Sequence, residues 1–469
     1  MTLTFWGAAQ TVTGSLHFLE LDDAGPGGRP TRLFLDCGLF QGRRSESRAR
    51  NQDWPCEPST VDAVLLSHAH IDHAGLLPKL YRDGFRGTVY ATHATVDLCG
   101  LMLRDSAYIQ EKDAEFFNRK IRDKGEPEVE PLYDMADAEG VMGLFHGVPY
   151  DRTFQVPGGV DVVYRDAGHI LGSASMTLDL PGGKRLGFTG DLGNPGRPIL
   201  RDPTPMPPVD WLICESTYGG KTHEPADLTK DRLAAIVSET TAKGGRVVIP
   251  AFAVGRTQEI VHTLDQLWNA DRLPAIPVFV DSPLAVNATA VFQTHPECYD
   301  ADLLAYLMTD PSPFGFERLE YVREAKRSKE LNGLRVPFVV ISASGMCEAG
   351  RILHHLRNTI EDDKNTVLIV GYQAEHTLGR RIVERRDEVK IFGRPHKLRA
   401  RVEVMNTFSA HADEPGLVDF VGAIDRDRLK TVFLVHGDPD RQALLIDAFA
   451  EAGLTADVEA PARGDAVTL

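Results

Sequence analysis

The stretch Leu65–Gly75, LLSHAHIDHAG, places His68, His70, Asp72 and His73 within six positions. The apolar run DAVLL before it ends like a strand, and AGLLPKLYRDG after it reads as a short helix. The cluster therefore sits where a buried strand hands over to a helix, and in α/β proteins ligands gather at such carboxyl ends of strands. A lone histidine after a strand is most often a satisfied polar group, and a polar turn can use histidines to cap backbone groups. Three histidines and an aspartate in the pattern HxHxDH point instead to a metal site.

The rest of the chain bounds what that site can belong to. At 469 residues it is too long for one simple core, so two or three domains are expected. The apolar share of 42% and charged share of 25% are those of an ordinary globular protein. No window approaches the ~18–20 apolar residues of a membrane span, and the start, MTLTFWGAAQTVTGS, lacks a basic segment followed by an apolar run. The six cysteines are scattered without a CxxC pair, as fits reduced thiols in a cytoplasm. A cytoplasmic protein with no membrane partner is the expectation, and its metal ligands must be histidines and carboxylates. The net charge of −16 argues against a protein that coats nucleic acid non-specifically, but not against a nuclease with a local basic groove.

Along the first ~210 residues short apolar runs alternate with turns, the look of a strand-rich sandwich. A charged, helix-like insertion interrupts it between about Val96 and Gly147. After Glu215 the style changes: helical segments such as GRTQEIVHTLDQLW alternate with strands such as RVVIPAFAV, IPVFVDSP and PFVVISAS, a parallel α/β pattern. Strands resume near Arg401. The expected division is a sandwich over 1–215, an inserted α/β domain over 216–393, and a return to the sandwich over 394–469.

Several apolar runs end in a glycine-flanked acid or histidine: Asp36 in LFLDCG, His169 in RDAGHILG, Asp191 in FTGDLG and His436 in FLVHGD. If these strand ends converge on the Leu65–Gly75 cluster, His68, His70 and His169 supply three imidazoles. Asp72, His73 and His436 then form a mixed set, and Asp191 bridges. Seven such ligands suit two Zn2+ ions sharing one carboxylate, and imidazole with carboxylate and no thiolate favours zinc over manganese. Asp36 is expected to accept a hydrogen bond from a ligand or a bound water.

With these residues in view, the sequence closely resembles the metallo-β-lactamase superfamily, and more narrowly the β-CASP nucleases, the branch of the cleavage and polyadenylation endonuclease and its bacterial and archaeal relatives. The resemblance runs over nearly the whole chain. It implies an αββα metallo-β-lactamase sandwich with an inserted parallel α/β β-CASP domain. Motif A falls on Glu215 in CESTYG, motif B on His411 in FSAHAD, and motif C on His436. RNA-cleaving members carry histidine at motif C where DNA-repair members usually carry valine, so His436 leans towards RNA. With no KH-like opening and little sequence after the last helix, the minimal bacterial form is expected.

The resemblance further implies a zinc-dependent endoribonuclease acting on single-stranded RNA through a water activated by two metals, with 5′→3′ exonuclease action and homodimers both known in the family. Asp72 and Asp36 would serve catalysis at the metals. His411 is the expected proton donor to the leaving oxygen, with Glu215 fixing its tautomer. In ISASGMCEAGR, Ser342, Ser344, Gly345 and Arg351 are expected phosphate contacts, as is Arg256 in AFAVGRTQE. Arg380 opens the basic run Gly379–Arg401, nine Lys/Arg against three acids for a local net of +6, which would meet the RNA backbone if it lines the cleft between domains. Small-molecule ester and thioester hydrolases share the metal motifs but lack the α/β insertion and FSAH. A catalytically silent RNA-binding or scaffold subunit predicts lost ligands, and none of the seven is missing.

Overall fold

The computed structural model describes residues 1–22, 28–42, 44–121, 128–223, 227–371 and 373–469. Residues 122–127 of the expected helical insertion lie outside that set. The chain divides into two compact units: Met1–Pro195 with Asp202–Thr222 and His411–Leu469, and Gly196–Arg201 with His223–Ala410.

The first unit is built on two seven-stranded sheets. In one, Thr2–Phe5, His17–Leu21 and Thr31–Leu35 form an antiparallel meander, continued in parallel by Ala63–Leu65, Thr88–Thr92 and Phe145–Val148, with Ala466–Thr468 closing the other edge. In the other, Thr153–Val156, Val160–Asp166, Ala174–Leu180 and Lys184–Phe188 run antiparallel, and Trp211–Glu215, Thr431–Val435 and Asp457–Glu459 follow in parallel. The period-two alternation of these strands decides the layering. Ile213, Phe433 and Val435 point into the core between the sheets with Leu3, Leu19, Leu33 and Leu35 of the facing sheet. Their neighbours Leu212, Cys214, Val432 and Leu434 point out, against Leu417 and Val421 of helix Glu414–Gly422 and Leu445 and Phe449 of helix Pro439–Glu451. Helix His93–Ile121 covers the outer side of the first sheet, packing on Thr88–Thr92 and Phe145–Val148. Helix, sheet, sheet and helix thus follow the expected αββα order.

The second unit holds a six-stranded, all-parallel sheet in the order Leu319–Tyr321, Val278–Val280, Val339–Ser342, Val247–Pro250, Thr366–Ile369, Arg401–Val404. Its central strands VVIP, VVIS and TVLI are buried at every position, as parallel strands of an α/β sheet are. The last strand moves the division of the chain from the expected 393 to 410. RVEV pairs with Thr366–Ile369 and so stays with the second unit. At the other end CESTYG completes the first unit before the chain leaves it, shifting 215 to 222.

Candidate metal centre

Apart from His411, which follows the short helix Asn406–Phe408, the first unit's expected site residues come from strand ends of one sense. Val160–Asp166, Lys184–Phe188, Trp211–Glu215 and Thr431–Val435 share one direction, so the segments bearing His169, Asp191, Glu215 and His436 leave from one edge of the sheet. In the facing sheet, parallel Thr31–Leu35 and Ala63–Leu65 deliver Asp36 and the His68–His73 cluster. Tight turns let the chain present side chains there. Asp36 and His436 hold φ of 61° and 51°, in the left-handed region.

Two donor sets result. His68 Nε2 lies 3.1 Å from His70 Nδ1, which lies 3.2 Å from His169 Nε2. Asp191 Oδ2 stands 3.5 Å from both His68 Nε2 and His169 Nε2. In the second set His73 Nε2 and His436 Nε2 are 3.2 Å apart, and Asp72 Oδ2 is 3.5 Å from His436 Nε2. Asp191 Oδ2 is also 3.3 Å from His73 Nε2, so the same oxygen reaches both sets. Ligands about 2.0–2.1 Å from a tetrahedral zinc lie about 3.3 Å from one another, and the observed spacings scatter around that edge.

The hydrogen bonds outside these sets fix which nitrogens face inward. Asp36 is fully buried, and its carboxylate accepts from Ser67 N, Ser67 Oγ, Ser15 Oγ and, at 2.7 Å, His73 Nδ1. That leaves the His73 Nε2 lone pair for a cation. Since the Ser67 hydroxyl donates to Asp36, His68 Nδ1–H donates to Ser67 Oγ at 3.0 Å, and its Nε2 likewise faces the set. The Thr217 hydroxyl donates to the His436 carbonyl and accepts from His436 Nδ1 at 3.1 Å. Ser173 Oγ accepts from His169 N and Ile170 N and holds that loop. Burial pushes the imidazoles of His68 and His70 down, His70 to about 4, keeping their lone pairs available. Burial also pulls His73 down, but Asp191 and Asp36 outweigh it and hold its value well up, so a cation binding there releases a proton. Asp191 Oδ1, a buried carboxylate oxygen, has no hydrogen-bond donor among the described residues. The donor set, its spacing and that oxygen fit two divalent cations.

Beside the metal sets stands a third group. Both Glu215 oxygens lie 3.1–3.2 Å from His411 Nδ1, and Glu215 Oε1 also accepts from Leu192 N. His411 Nδ1 is 3.9 Å from Asp191 Oδ2, and its ring centroid is 4.5 Å from that of His169. Burial works against a charged His411, but the carboxylates of Glu215 and Asp191 prevail and raise it to about 9.

The hydroxyls of Ser15, Ser67 and Thr217 do not stand out in the sequence. Their one signal is adjacency: Ser67 precedes His68, and Thr217 follows Glu215 in CESTYG.

The expected phosphate contacts all fall in the second unit, where the structure engages them internally. Ser342 is buried in the sheet and donates to the Asp281 carbonyl, which corrects its expected phosphate role: its hydroxyl does not reach the surface. Ser344 Oγ accepts from Glu348 N and Ala349 N, closing its own turn. The Gly345 carbonyl accepts from Gln373 Nε2. Arg351 pairs with buried Asp281 at 2.7 Å and donates to the carbonyls of Val322 and Arg323. Buried Arg256 pairs with Glu259, and Arg380 pairs with Glu384. The carboxylate partners of Arg351 and Arg256, Asp281 and Glu259, are not legible in the sequence.

Three family models match the chain in succession. The metallo-beta-lactamase superfamily model matches residues 23–243, the Beta-Casp domain model 257–382, and the Zn-dependent metallo-hydrolase RNA specificity domain model 395–461. A Thermus thermophilus protein named Ribonuclease TTHA0252 is 37% identical over 94% of this chain and 94% of its own. An RNase J-like protein of Methanocaldococcus jannaschii is 32% identical over 93% of this chain and 92% of its own. The transcription termination factor FttA of the same organism is 29% identical over 94% of this chain and 67% of its own. Among the described residues no helix is long and apolar enough to cross a membrane. The chain belongs to the β-CASP family of hydrolases within the metallo-β-lactamase superfamily.

Proposed function

We propose that this protein is a zinc-dependent endoribonuclease that hydrolyses phosphodiester bonds of single-stranded RNA, with 5′→3′ exonucleolytic trimming as a second mode. The observation that carries the reading is the shared Asp191 oxygen between two donor sets, with the His411–Glu215 pair beside them. The RNA substrate is supported by the names of two relatives, a ribonuclease and an RNase J-like protein, and by histidine rather than valine at position 436.

Two zinc ions, held by His68, His70, His169 and Asp191 and by Asp72, His73, His436 and Asp191, would supply an activated water at neutral pH and charge for the attacked phosphate. The chain's own residues do the rest. Asp36 keeps the His73 ring in one tautomer and orientation through its 2.7 Å bond. Asp72, whose side chain is a quarter exposed and lies 3.5 Å from His436, takes the proton of the attacking water in this reading. His411 protonates the departing 3′-oxygen, leaving 5′-phosphate and 3′-hydroxyl ends, while Glu215 holds its Nδ1–H so that Nε2 carries the delivered proton. His411 held up to about 9 stays protonated at neutral pH, as an acid must.

The test uses zinc-loaded protein with an end-labelled single-stranded RNA and the DNA of the same sequence. Wild type should cut the RNA internally and leave the DNA intact, whereas Asp191→Ala and His411→Ala should cut neither at a comparable rate. Metal-loaded wild type that cuts neither polymer contradicts the proposal.

A further inference from the structure

The basic run of the second unit does not present its charge evenly. Arg380 and Arg386 pair with Glu384, and Arg401 pairs with Glu239 and Glu403. Arg381 and Arg385 donate to the carbonyls of His376 and Val402, while Lys390, Arg394 and Lys397 sit on a hairpin in which Glu388–Ile391 pairs antiparallel with Arg394–Lys397. Val389 and Ile391 of this hairpin bury themselves in the core formed with Ile352, Leu356 and Ile360 of the neighbouring helix. The acids gather at the hairpin's open end, where Glu388 lies across from Lys397 and Glu361 accepts from Lys397 N. Its closed end, about 10 Å away for three residues of strand, carries exposed Lys390 and Arg394. Among the described residues no carboxylate pairs with Lys390, Arg394 or Arg357.

The turn at that end is Phe392–Gly393, with φ of 50° and 76°, the two left-handed residues of a tight hairpin. Asparagine or aspartate suits the first of these positions, and an aromatic side chain does not. Nor does burial explain it, since Phe392 is 51% exposed. Its ring lies 4.7 Å from the His354 ring at 44°, and the Arg357 guanidinium stands 5.7 Å from its centroid. An exposed aromatic ring flanked by an imidazole, a guanidinium and cations without acids is the chemistry that holds single-stranded nucleic acid: bases stack on the ring while phosphates meet the charges.

We propose that His354, Arg357, Lys390, Phe392 and Arg394 form an RNA-contact site of the second unit, separate from the metal ligands, with one base stacked on Phe392 and neighbouring phosphates on the three cations. The inference rests on the RNA reading above.

The experiment measures binding of a fluorescein-labelled, unstructured single-stranded RNA to the full-length, zinc-loaded protein by anisotropy, across a salt series. Phe392→Ala should weaken binding about tenfold and Phe392→Tyr should retain it. The double variant Lys390→Ala/Arg394→Ala should flatten the slope of log K against log salt by about 1.4. Hydrolysis of bis(p-nitrophenyl) phosphate, which carries no base and a single phosphate, should be unchanged in all three. RNA bound by wild type with unaltered affinity and slope in the variants overturns the site and leaves the RNA reading standing. Wild type that binds no RNA overturns both. A parallel loss of bis(p-nitrophenyl) phosphate hydrolysis, or a change in oligomeric state in place of RNA affinity, also overturns it, the latter assigning the patch to a second copy of the chain.

Discussion

Glu215 receives the Nδ1–H of His411 at 3.1 Å while its Oε1 is held by the Leu192 amide. A carboxylate held in this way is engaged by the imidazole. In the proposed role of general acid His411 must be protonated, and its contribution is lost as pH rises through its value near 9. His411→Ala should lower kcat by roughly 10²–10⁴-fold with metal content kept. In Glu215→Gln the alkaline limb of the kcat–pH profile should move down towards the ordinary imidazole value near 6.5. A limb that stays in place contradicts the assignment.

The bond from His73 Nδ1 to Asp36 gives a second expectation. Asp36→Asn preserves shape but weakens the acceptor that orients the ring. Zinc affinity, measured by competition with a chelator, should fall about 10–100-fold, with little change in the far-ultraviolet circular dichroism. Unaltered affinity would show that Asp36 is only a packing residue.

Gly193 joins two arms of the centre. A Cβ there would lie 1.9 Å from the Gly168 carbonyl oxygen, next to His169, and Gly193 also bridges His411. Gly193→Ala should cost about 1–3 kcal/mol of stability and weaken zinc binding by splaying the His169 loop from Asp191. Gly422→Ala, where a Cβ meets nothing within 4 Å, is the control and should bind zinc as wild type does.

His17 is fully buried between Phe5 and Phe188, and among the described residues neither ring nitrogen has a hydrogen-bond partner. Burial, with the nearby His73 and His436, pushes it down to about 3. The unfolded chain therefore binds a proton below about 6.5 that the folded chain refuses, and stability falls as pH drops through that range. Between pH 7 and pH 5 the loss is about 2 kcal/mol. His17→Phe should remove it, so urea denaturation at the two pH values should show wild type losing about 2 kcal/mol more than the variant. Equal losses would mean that His17 protonates in place.

Much of the metal centre is legible in the amino-acid sequence. Asp36, His169, Asp191 and His436 each end an apolar run before a glycine or beside one, and the parallel sense of their strands makes such ends converge. The supporting hydroxyls are not legible, because a serine after a strand, such as Ser67, is commonplace until Asp36 is seen to accept from it. RVEV reads as a strand in the sequence, but nothing in its residues says which sheet it joins; it pairs with Thr366–Ile369 of the second unit. Arg351 and Arg256 read as phosphate contacts because a sequence shows guanidiniums but not the carboxylates that reach them, here Asp281 and Glu259.

Everything proposed for the chemistry depends on seven side chains holding two metals through one shared aspartate. Anomalous diffraction at the zinc edge, on crystals of the zinc-loaded protein, examines that arrangement without relying on activity. Two peaks are expected, roughly 3.5–4 Å apart. One should lie within about 2.0–2.2 Å of donors from His68, His70 and His169 and the other from Asp72, His73 and His436, with Asp191 reaching both. A single peak at full zinc occupancy, or two peaks that do not share Asp191, would rule the arrangement out.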